Sequence, residues 1–370
     1  MKPWRLSPKR TGLGRMMLRG AIIGLGNVAI HGHLPGWLAR RDIEIVAGTD
    51  TNAAQARELR SHVPQARWYD SLDELLAGEG LDFVDICTPP ATHADLIRTA
   101  LERGLHVLCE KPLVTRLGDL DAVGKLVGEK ARVLYTVHNW HQAPVIRKVS
   151  ELLREGAIGE IRGCGWQTLR TQPAGSGESR MGNWRIDPAM AGGGVLMDHG
   201  WHAFYVLSEW LGEVPTRISA HLETRRHVEW PVEDTATVRL QFPSTTAEIF
   251  LTWTSDVRRN WARLEGTRGE IRLEDDTVVL MPRPTGNEQR WPCPPALSSG
   301  SYHPDWFSGV ASGFVAEVTG RSAVRGATVA EASLCATLVA LAQESSRQGG
   351  KSVPVPEPSE LGAVEATWNR

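Results

Sequence analysis

Short apolar runs alternate with amphipathic, helix-like stretches over the first part of the chain. The runs are apolar throughout rather than at every second position, which is typical of parallel strands covered on both faces. This order predicts an α/β arrangement in which a doubly wound parallel sheet is connected by crossover helices. The predicted strands are residues 18–24, 43–48, 83–88, 106–109 and 133–137.

Two of the intervening helices carry boundary signals. Ser71 followed by Glu74 forms a capping box, in which each side chain bonds a backbone N–H of the first turn, so a helix is predicted to begin there. A second helix, residues 91–103, is predicted to end at Gly104, because glycine readily adopts the left-handed conformation that closes helices. Both helices have the length and position expected of crossover connections.

The pattern changes after a predicted helix at residues 144–154. Longer runs follow, in which β-branched and aromatic residues alternate with polar ones, as in a sheet with one face open to solvent or to a partner. We therefore predict a C-terminal α+β domain built on a large open, mostly antiparallel sheet, with two closing helices at residues 306–319 and 328–343. Its predicted strands are residues 159–171, 217–224, 236–242, 248–254 and 271–280.

Composition restricts the function classes. The chain has 41 Lys and Arg against 43 Asp and Glu, a net charge of -2, which gives no electrostatic reason to expect nucleic acid or an anionic membrane as partner. No apolar run approaches the roughly 18 residues that a membrane helix needs. The five cysteines are scattered, odd in number and free of any C-x-x-C pair, so a disulfide framework is not indicated and a cytoplasmic location is predicted.

A dinucleotide-binding turn is the first chemical motif in the chain. Gly24, Gly26 and Ala29 give G-x-G-x-x-A directly after an apolar strand, where the glycines permit a tight turn and a close approach of the backbone to a pyrophosphate. Asp50 ends the second predicted strand, where a carboxylate can bind both ribose hydroxyls. The plainer interpretation is a strand-to-helix turn with Asp50 as a helix cap, but both features occur in the register of a nucleotide site.

Asp50 also bears on the choice of cofactor. Its carboxylate would repel a 2′-phosphate, and residues 51–54 supply no Arg or Lys to offset that repulsion. The sequence therefore predicts NAD rather than NADP.

Several further motifs follow in a fixed order, and together they resemble the Gfo/Idh/MocA family, that of glucose-fructose oxidoreductase and inositol dehydrogenase. The resemblance covers nearly everything from residue 18 to about residue 343. It implies a nicotinamide-dependent oxidoreductase with an N-terminal Rossmann domain and a C-terminal domain whose open sheet serves substrate binding and oligomer contacts. The motifs are Gly24–Ala29, Thr88-Pro89-Pro90 with His93, Glu110-Lys111-Pro112, Trp184-Arg185, and residues 192–198 (G-G-G-V-L-M-D) with His202.

The resemblance implies a catalytic set of Lys111, Asp198 and His202. Oxidation of a secondary alcohol requires a base for the hydroxyl proton and a donor that stabilises the growing charge on oxygen. His202 is the candidate base and Lys111 the electrophilic partner, while Asp198, four residues before His202, would orient or stabilise them. Taken singly, Lys111 is a solvated turn lysine paired with Glu110, and Asp198 and His202 are a cap and a core histidine; the family order favours catalysis.

The cofactor-binding residues follow from the fingerprint and the resemblance. The loop after a parallel strand passes the nicotinamide side of the family's site, at the carboxyl edge where open α/β sheets bind ligands. His93 either touches the ribose or starts the next helix. The predicted set is Gly24, Gly26, Asn27, Val28, Asp50, Thr88, Pro89, His93, Glu110 and Lys111.

The substrate side departs from the family pattern. Many members carry Asn, then Arg and an aromatic residue, before the helix; here Asn139 is kept, but Trp140 and His141 replace the usual pair. Trp140, Trp166 and Trp184 are candidates to stack on a sugar ring, although most tryptophans fill cores or interfaces, and Arg185 is a candidate to bind hydroxyls or a carboxylate. The predicted substrate residues are Lys111, Asn139, Trp140, Trp184, Arg185, Asp198 and His202.

Four segments describe the predicted organisation. At 370 residues, the chain has room for two domains of roughly 150 residues each. A Gly-rich loop is predicted at residues 173–183, and Met16 and Met17 leave open whether residues 1–15 belong to the protein. The segments are a basic extension (1–17), the NAD-binding Rossmann domain (18–139), the substrate-binding and oligomerisation domain (140–345) and a tail (346–370).

The predicted function is an NAD-dependent dehydrogenase or reductase of a secondary alcohol or ketone in a sugar, cyclitol or polyol, acting as a homodimer or homotetramer through the open sheet. An alternative on the same scaffold is a glycosidase or lyase that oxidises transiently and retains its NAD, and a third is a non-catalytic dinucleotide-binding regulator. Asp198, His199 and His202 also read D-H-x-x-H, which with His138 suggests a metal site. No further ligand has matching spacing, so no metal is predicted.

Overall fold

The first structural unit is a six-stranded parallel sheet. The computed structural model describes residues 17–175, 182–284, 286–294 and 297–357, so the predicted extension up to residue 16 and most of the predicted Gly-rich loop lie outside the described residues. The strand order is β3-β2-β1-β4-β5-β6, and every pair is parallel. The strands are β1 (Leu18–Ile23), β2 (Ile43–Thr49), β3 (Arg67–Tyr69), β4 (Phe83–Ile86), β5 (His106–Cys109) and β6 (Leu134–Thr136).

The central strands are buried on both faces, as their continuous apolar runs predict. Because all strands run in one direction, the loops that follow β1, β4, β5 and β6 meet at one edge of the sheet. These loops contain the glycine turn, Thr88, Glu110 with Lys111, and Asn139. Residues far apart in the chain are therefore brought to one edge.

The second unit is a nine-stranded sheet in the order β14-β13-β12-β11-β7-β10-β9-β8-β15. All neighbouring strands are antiparallel except β7 and β10, which pair in parallel. The strands are β7 (Ile161–Leu169), β8 (Arg217–Glu223), β9 (Thr235–Gln241), β10 (Thr246–Thr252), β11 (Arg259–Gly266), β12 (Gly269–Glu274), β13 (Thr277–Pro282), β14 (Gln289–Pro292) and β15 (Val353–Pro354).

Burial alternates along the central strands of this sheet, so one face packs on the core and the other stays open. In β9, for example, Val238 and Leu240 are fully buried, while Arg239 and Gln241 are exposed. This period of two is what the sequence predicts for a sheet with one solvated face. The predicted fold class, a doubly wound parallel sheet with an α+β domain on an open, mostly antiparallel sheet, is confirmed.

Helices cover both sheets. The described helices are α1 (Leu34–Leu38), α2 (Gln55–His62), α3 (Leu72–Gly78), α4 (His93–Glu102), α5 (Leu117–Lys130), α6 (Pro144–Arg154), α7 (Pro188–Ala191), α8 (Trp201–Leu211), α9 (Pro304–Val318) and α10 (Ala327–Arg347), with short π-helical segments at Ala29–His33 and Leu196–Gly200 and 3-10 turns at Pro90–Thr92, Asn139–Gln142 and Trp184–Ile186. No helix in these described ranges combines the length and the hydropathy needed to cross a membrane.

Helix α9 ties the two parts of the chain together. It follows the second sheet in sequence, yet Phe307 and Phe314 pack on Trp37 and Phe83 of the first unit. Aromatic side chains of this size bury the largest apolar areas of any residue, so the seam fixes the first sheet relative to α9. The predicted domain boundaries at residues 139 and 345 stay a prediction.

Several elements differ from the predicted ones. The strand predicted at residues 271–280 is wrong: it is the hairpin of β12 and β13, and Asp275 takes a left-handed conformation (φ 59°) in the turn between them. Strands β3, β11 and β14 were not predicted. The chain beyond residue 346 is partly ordered, since α10 ends at Arg347 and β15 pairs with β8; residues 358–370 lie outside the described part.

The predicted helix signals hold. The Ser71 hydroxyl accepts the backbone N–H of Glu74 at 3.2 Å, at the start of α3. Helix α4 ends at Glu102, and Gly104, two residues later, takes a left-handed conformation with a φ of 77°. Local chemistry is enough to fix these boundaries.

Candidate active site

A cleft opens where the carboxyl edge of the first sheet faces the second unit. Its wall comes from both sheets, from the π-helical segment before α8 and from the loop before α9. Ten predicted site residues line it: Val28, Thr88, Glu110, Lys111, Asn139, Trp140, Trp184, Arg185, Asp198 and His202.

The glycine turn lies at one end of the cleft. Gly24 has a φ of +85°, and an added Cβ would lie 2.9 Å from backbone atoms of Cys87 and Thr88, so this position requires glycine. The Asp50 carboxylate accepts the Leu25 N–H at 2.6 Å, which holds the turn against the end of β2. The plainer interpretation of Asp50 as a helix cap is wrong, since α2 begins at Gln55 without a side-chain cap. Asp50 instead anchors the glycine turn, and its remaining lone pairs can accept ribose hydroxyls.

The turn also has the open space that a dinucleotide needs. A Cβ added to Gly26 would meet no protein atom within 4 Å, and Gly26 and Asn27 are exposed beside the cleft-lining Val28. The short helix that follows presents its N-terminus here, an arrangement that favours phosphate oxygens. The residues present thus fit a bound pyrophosphate.

His93 lies behind the loop rather than in the cleft. The ring is fully buried, and its two nitrogens lie 2.8 Å from the carbonyl oxygens of Pro112 and Thr88, so it bridges two of the edge loops at the start of α4. Burial lowers the pKa of His93 below its usual value. Of the two predicted roles of His93, its position agrees with the start of the helix. A contact between His93 and the ribose stays a prediction.

Lys111 and Asp198 meet across the cleft. The Lys111 Nζ donates to Asp198 Oδ1 at 2.8 Å and to the Asp198 carbonyl at 3.2 Å. Burial favours the neutral carboxyl group, but Lys111, His199 and Arg185 outweigh it and hold the pKa of Asp198 well below its usual range. Asp198 is therefore ionised at neutral pH and fixes the position of the lysine.

His202 lines the same cleft. Its ring stacks on Trp140 with centroids 4.2 Å apart, and its Nδ1 lies 2.8 Å from the Tyr205 hydroxyl, which accepts the Trp140 N–H at 3.2 Å. Burial, then the positive charge of Lys111, lowers the pKa of His202 well below 6.5, so the imidazole is neutral at pH 7. A neutral, oriented imidazole can accept a proton.

A buried ion network supports the loop that contains Lys111. His33 lies between two carboxylates, with Nδ1 3.0 Å from Asp85 and Nε2 2.9 Å from Glu110, whose second oxygen accepts the Lys111 N–H at 3.0 Å. Burial would lower the pKa of His33, but Asp85 and Cys87 raise it well above its usual value. The imidazolium therefore fixes Glu110 beneath the loop that contains Lys111, a role that the sequence did not indicate.

A second network lies behind Trp140 and Tyr205. His141 bridges Glu209 and Glu331 through its two ring nitrogens, and these carboxylates outweigh burial to raise its pKa to about 10. His138 donates to Glu331 at 2.8 Å and accepts the Trp201 N–H at 3.1 Å, which fixes its neutral tautomer. His141, where the family pattern has an aromatic residue, is thus a half-buried cation.

The side chains that could hold a metal ion are not those of the D-H-x-x-H pattern. Within the described part of the chain, the groups with three suitable atoms within 4.8 Å of one another are His33, Asp85 and Cys87, and His138, His141 and Glu331. Asp198, His199 and His202 do not form such a group. In both observed groups, histidine nitrogens already bond carboxylates.

The predicted stacking residues separate into two classes. Trp140 and Trp184 line the cleft, and Arg185 lies over the Trp184 ring with its guanidinium carbon 4.2 Å from the centroid. Trp166, in contrast, is 1% exposed and packs between Trp140 and Trp210, so the suggestion that it stacks on substrate is wrong. It points to the core face of β7, as the alternation along that strand requires.

Three further polar residues line the cleft: Arg170, His199 and Arg258. The sequence indicated His199 only as a possible metal ligand and did not indicate the two arginines. Arg170 follows β7 and Arg258 precedes β11, and these strands pair so that Arg259 lies opposite Leu169. In the same antiparallel register, Arg258 and Arg170 come next and lie opposite each other. The sequence alone does not indicate that these two arginines are close, because it does not predict β11.

Two family models match the chain. The model of an oxidoreductase family with an NAD-binding Rossmann fold matches residues 18–138, and that of the GFO/IDH/MocA C-terminal domain matches residues 146–272. Together they span both structural units and most of the cleft wall.

Individual relatives agree with these matches. D-apiose dehydrogenase of Paraburkholderia graminis is 28% identical over 291 residues, covering 76% of this chain and 74% of its own length. D-glucoside 3-dehydrogenase of Escherichia coli is 30% identical over 196 residues, 51% of this chain and 54% of its own. Levoglucosan dehydrogenase, solved with NADH and levoglucosan, superposes with a TM-score of 0.80 at 20% identity, covering 92% of this chain and all of the other (100%).

The glycine turn, the parallel sheet and the ordered motifs agree with both family models. The chain therefore belongs to the Gfo/Idh/MocA family of NAD-binding oxidoreductases.

Proposed function

We propose that this oxidoreductase is an NAD-dependent dehydrogenase that oxidises a secondary hydroxyl group of a sugar or polyol. The observation that carries the proposal is the meeting of Lys111, Asp198 and His202 in one cleft that begins at the glycine turn. The D-apiose, D-glucoside and levoglucosan dehydrogenases named above support a carbohydrate substrate.

Each of the three side chains has a chemical role. Bound NAD supplies the hydride acceptor at the nicotinamide ring. His202 takes the substrate hydroxyl proton at Nε2, while Nδ1 stays bonded to Tyr205. Lys111 donates to the same substrate oxygen and stabilises its developing negative charge, and Asp198 keeps the ammonium group in place.

The cofactor is held at the other end of the cleft. In this proposal Gly24, Gly26, Asn27 and Val28 approach the pyrophosphate, and Asp50 accepts the ribose hydroxyls while it anchors the turn. Its charge disfavours a 2′-phosphate, so NAD is preferred over NADP.

The test measures NADH formation over a panel of sugars, cyclitols and polyols with NAD and with NADP. Lys111→Met is compared with Lys125→Met, which removes an exposed lysine of α5. We expect Lys111→Met to lower kcat about 10²–10³-fold, as loss of one donor to a developing oxyanion does, with NAD affinity retained. The control variant keeps wild-type kcat.

Two results would overturn the proposal. Equal kcat for the two lysine variants would remove the mechanism. A new product formed without net NADH would favour the alternative in which a retained cofactor is transiently reduced.

We further propose that the chain forms homodimers or homotetramers through the open face of the second sheet and acts in the cytoplasm. Leu169, Phe250 and Trp261 are only partly buried on that face, and a second copy would cover them. The five cysteines are free, as in a reducing compartment. Light scattering of the purified protein tests the assembly: a monomer at micromolar concentration would contradict it.

A further inference from the structure

We infer that the substrate carries an oxyanion substituent, a carboxylate or a phosphate, which binds at the Arg170 end of the cleft. This inference rests on the proposed dehydrogenase function and names its substrate class as acidic sugars rather than neutral ones. Arg170 is the central residue of the subsite, with Arg258 at its mouth and His199 between Arg170 and Asp198.

Arg170 is a buried cation that forms no direct ion pair with a carboxylate of the described residues. The residue is 2% exposed, and its guanidinium donates only to neutral oxygens: the carbonyls of Leu169 and Arg259 and the amide of Asn260. No carboxylate of the described residues lies within 4 Å of it. A buried charge with no ionic partner is costly, and a bound anion would offset that cost.

The second arginine lies beside the first. Antiparallel pairing of β7 and β11 makes Arg258 the cross-strand neighbour of Arg170, a position where like charges repel. Arg258 is held by the carbonyls of Ser298 and Gly300. Asp275 forms its ion pair with Arg259 and bonds Ser298, so it acts on Arg170 only from a distance, as Asp198 does. Neither carboxylate bonds Arg170 directly, which leaves room for the oxyanion of a ligand.

Residues of the cleft wall also carry buried nitrogens that lack a hydrogen-bond partner. Within the described part of the chain, four buried side-chain nitrogens without a hydrogen-bond partner belong to residues that line the cleft: Arg170 Nε, Arg185 Nε, His199 Nδ1 and Trp306 Nε1. Arginine and tryptophan nitrogens only donate, so the missing partner must be an acceptor. Buried donors are rarely left unpaired in a native structure, and an ordered water or an oxygen of a ligand usually completes them.

The charge balance distinguishes an anion from a neutral sugar. Four cations line the cleft, Lys111, Arg170, Arg185 and Arg258, against two carboxylates, Glu110 and Asp198. Glu110 already faces the His33 imidazolium, and Asp198 is bonded to Lys111. Asp198 also pairs with Arg185 at 4.0 Å, so the excess positive charge lies on Arg170 and Arg258. Carboxylate and phosphate oxygens are the acceptors that guanidinium groups bind most strongly.

The test compares D-glucuronate and D-galacturonate with glucose, galactose and D-glucuronamide, which is a neutral amide of nearly the same shape; glucose 6-phosphate forms the phosphate arm. Wild-type protein is compared with Arg170→Gln, Arg258→Gln and the control Arg259→Gln. The control removes the same charge one residue away, from a side chain paired with Asp275 on the outer face. The readouts are kcat/KM by NADH formation and Kd by calorimetry on NADH-loaded protein.

We expect the acids, or the phosphate, to be oxidised or bound at least 10-fold better than their neutral counterparts. Arg170→Gln is expected to weaken that preference about 10- to 100-fold, Arg258→Gln less, and Arg259→Gln less than threefold. Arg258→Gln, at an exposed position, keeps the test decisive if Arg170→Gln does not fold.

The outcomes separate the two proposals. Arginine-dependent binding of an acid without any NADH formation overturns the dehydrogenase function and supports the subsite. Oxidation of neutral sugars with no preference for acids overturns the subsite and leaves the dehydrogenase intact. An acid that is neither bound nor oxidised also contradicts the subsite.

Discussion

The two ends of the cleft are built in different ways. The cofactor end is made from one continuous turn, Gly24 to Val28, which the nearby Asp50 anchors. The substrate end is assembled from side chains of distant segments, such as Lys111, Asp198 and Arg170, which line one cleft only because the two sheets pack together.

The comparison indicates which features determine ligand specificity at each end of the cleft. The backbone of the turn provides the space for a pyrophosphate, and Gly24 cannot be replaced there without strain. Individual charged side chains define the groups that bind and react with the substrate. Changes at the two ends are therefore expected to affect different measurements.

The largest expected effect follows from removal of the base at the substrate end. His202→Gln should lower kcat about 10²–10⁴-fold, because no neutral imidazole remains to accept the hydroxyl proton. NAD affinity, measured by fluorescence titration, should stay within about twofold. His62→Gln, at an exposed position of α2, is the control, and equal kcat for the two variants would show that His202 is not the base.

A matched pair of glycine substitutions isolates the cofactor end. Gly24→Ala should destabilise the protein by about 1–3 kcal/mol in a denaturant titration and abolish tight NAD binding, because its Cβ meets backbone atoms at a positive φ. Gly26→Ala should leave stability unchanged, since its Cβ meets no protein atom, yet weaken NAD about 10-fold. If Gly26→Ala binds NAD normally, the pyrophosphate does not lie there.

Asp50→Asn should change the choice of cofactor. The substitution removes the charge that disfavours a 2′-phosphate. One Asp50 oxygen accepts the Leu25 N–H and the other accepts the Asn52 N–H, and asparagine has an NH₂ group in place of one of these two oxygens. We expect kcat/KM with NAD to fall about 10-fold and the NADP-to-NAD ratio to rise. Asp73→Asn, an exposed charge of α3, should do neither; an unchanged ratio in Asp50→Asn would contradict the assignment.

The smallest effect concerns pH. Burial, reinforced by the charge of Lys111, holds the pKa of His202 well below 6.5, so the base form persists as pH falls through 6.5. The acidic limb of kcat/KM for oxidation should therefore lie below pH 6.5. A limb at or above 6.5 would mean that the group titrating in the free enzyme is not this histidine.

The same comparison explains what the sequence could predict. The glycine turn, Asp50 and the Lys111 loop are local motifs at the ends of apolar runs, so they were visible without a structure. The π-helical segment before α8 could not be inferred, although it brings Asp198 to Lys111. The spacing of four between Asp198 and His202 predicts a shared helical face only for a regular α-helix.

The missed residues depend on tertiary pairing. Arg170 and Arg258 become neighbours only because β7 pairs with β11, and His33 reaches Glu110 only because the first sheet brings their loops together. Neither relation has a local signature, since an isolated arginine or histidine is usually solvated or structural. Strand register determines such contacts, and the register is unknown where one of the strands is not predicted.

A crystal structure of the protein with NADH and a bound acidic sugar would test the central claim most directly. We expect one substrate hydroxyl within about 2.6–3.2 Å of both Lys111 Nζ and His202 Nε2, its carbon facing the nicotinamide ring, and the pyrophosphate at Gly26. A nicotinamide ring bound away from Lys111 and His202, with the substrate in contact with neither, would contradict the account.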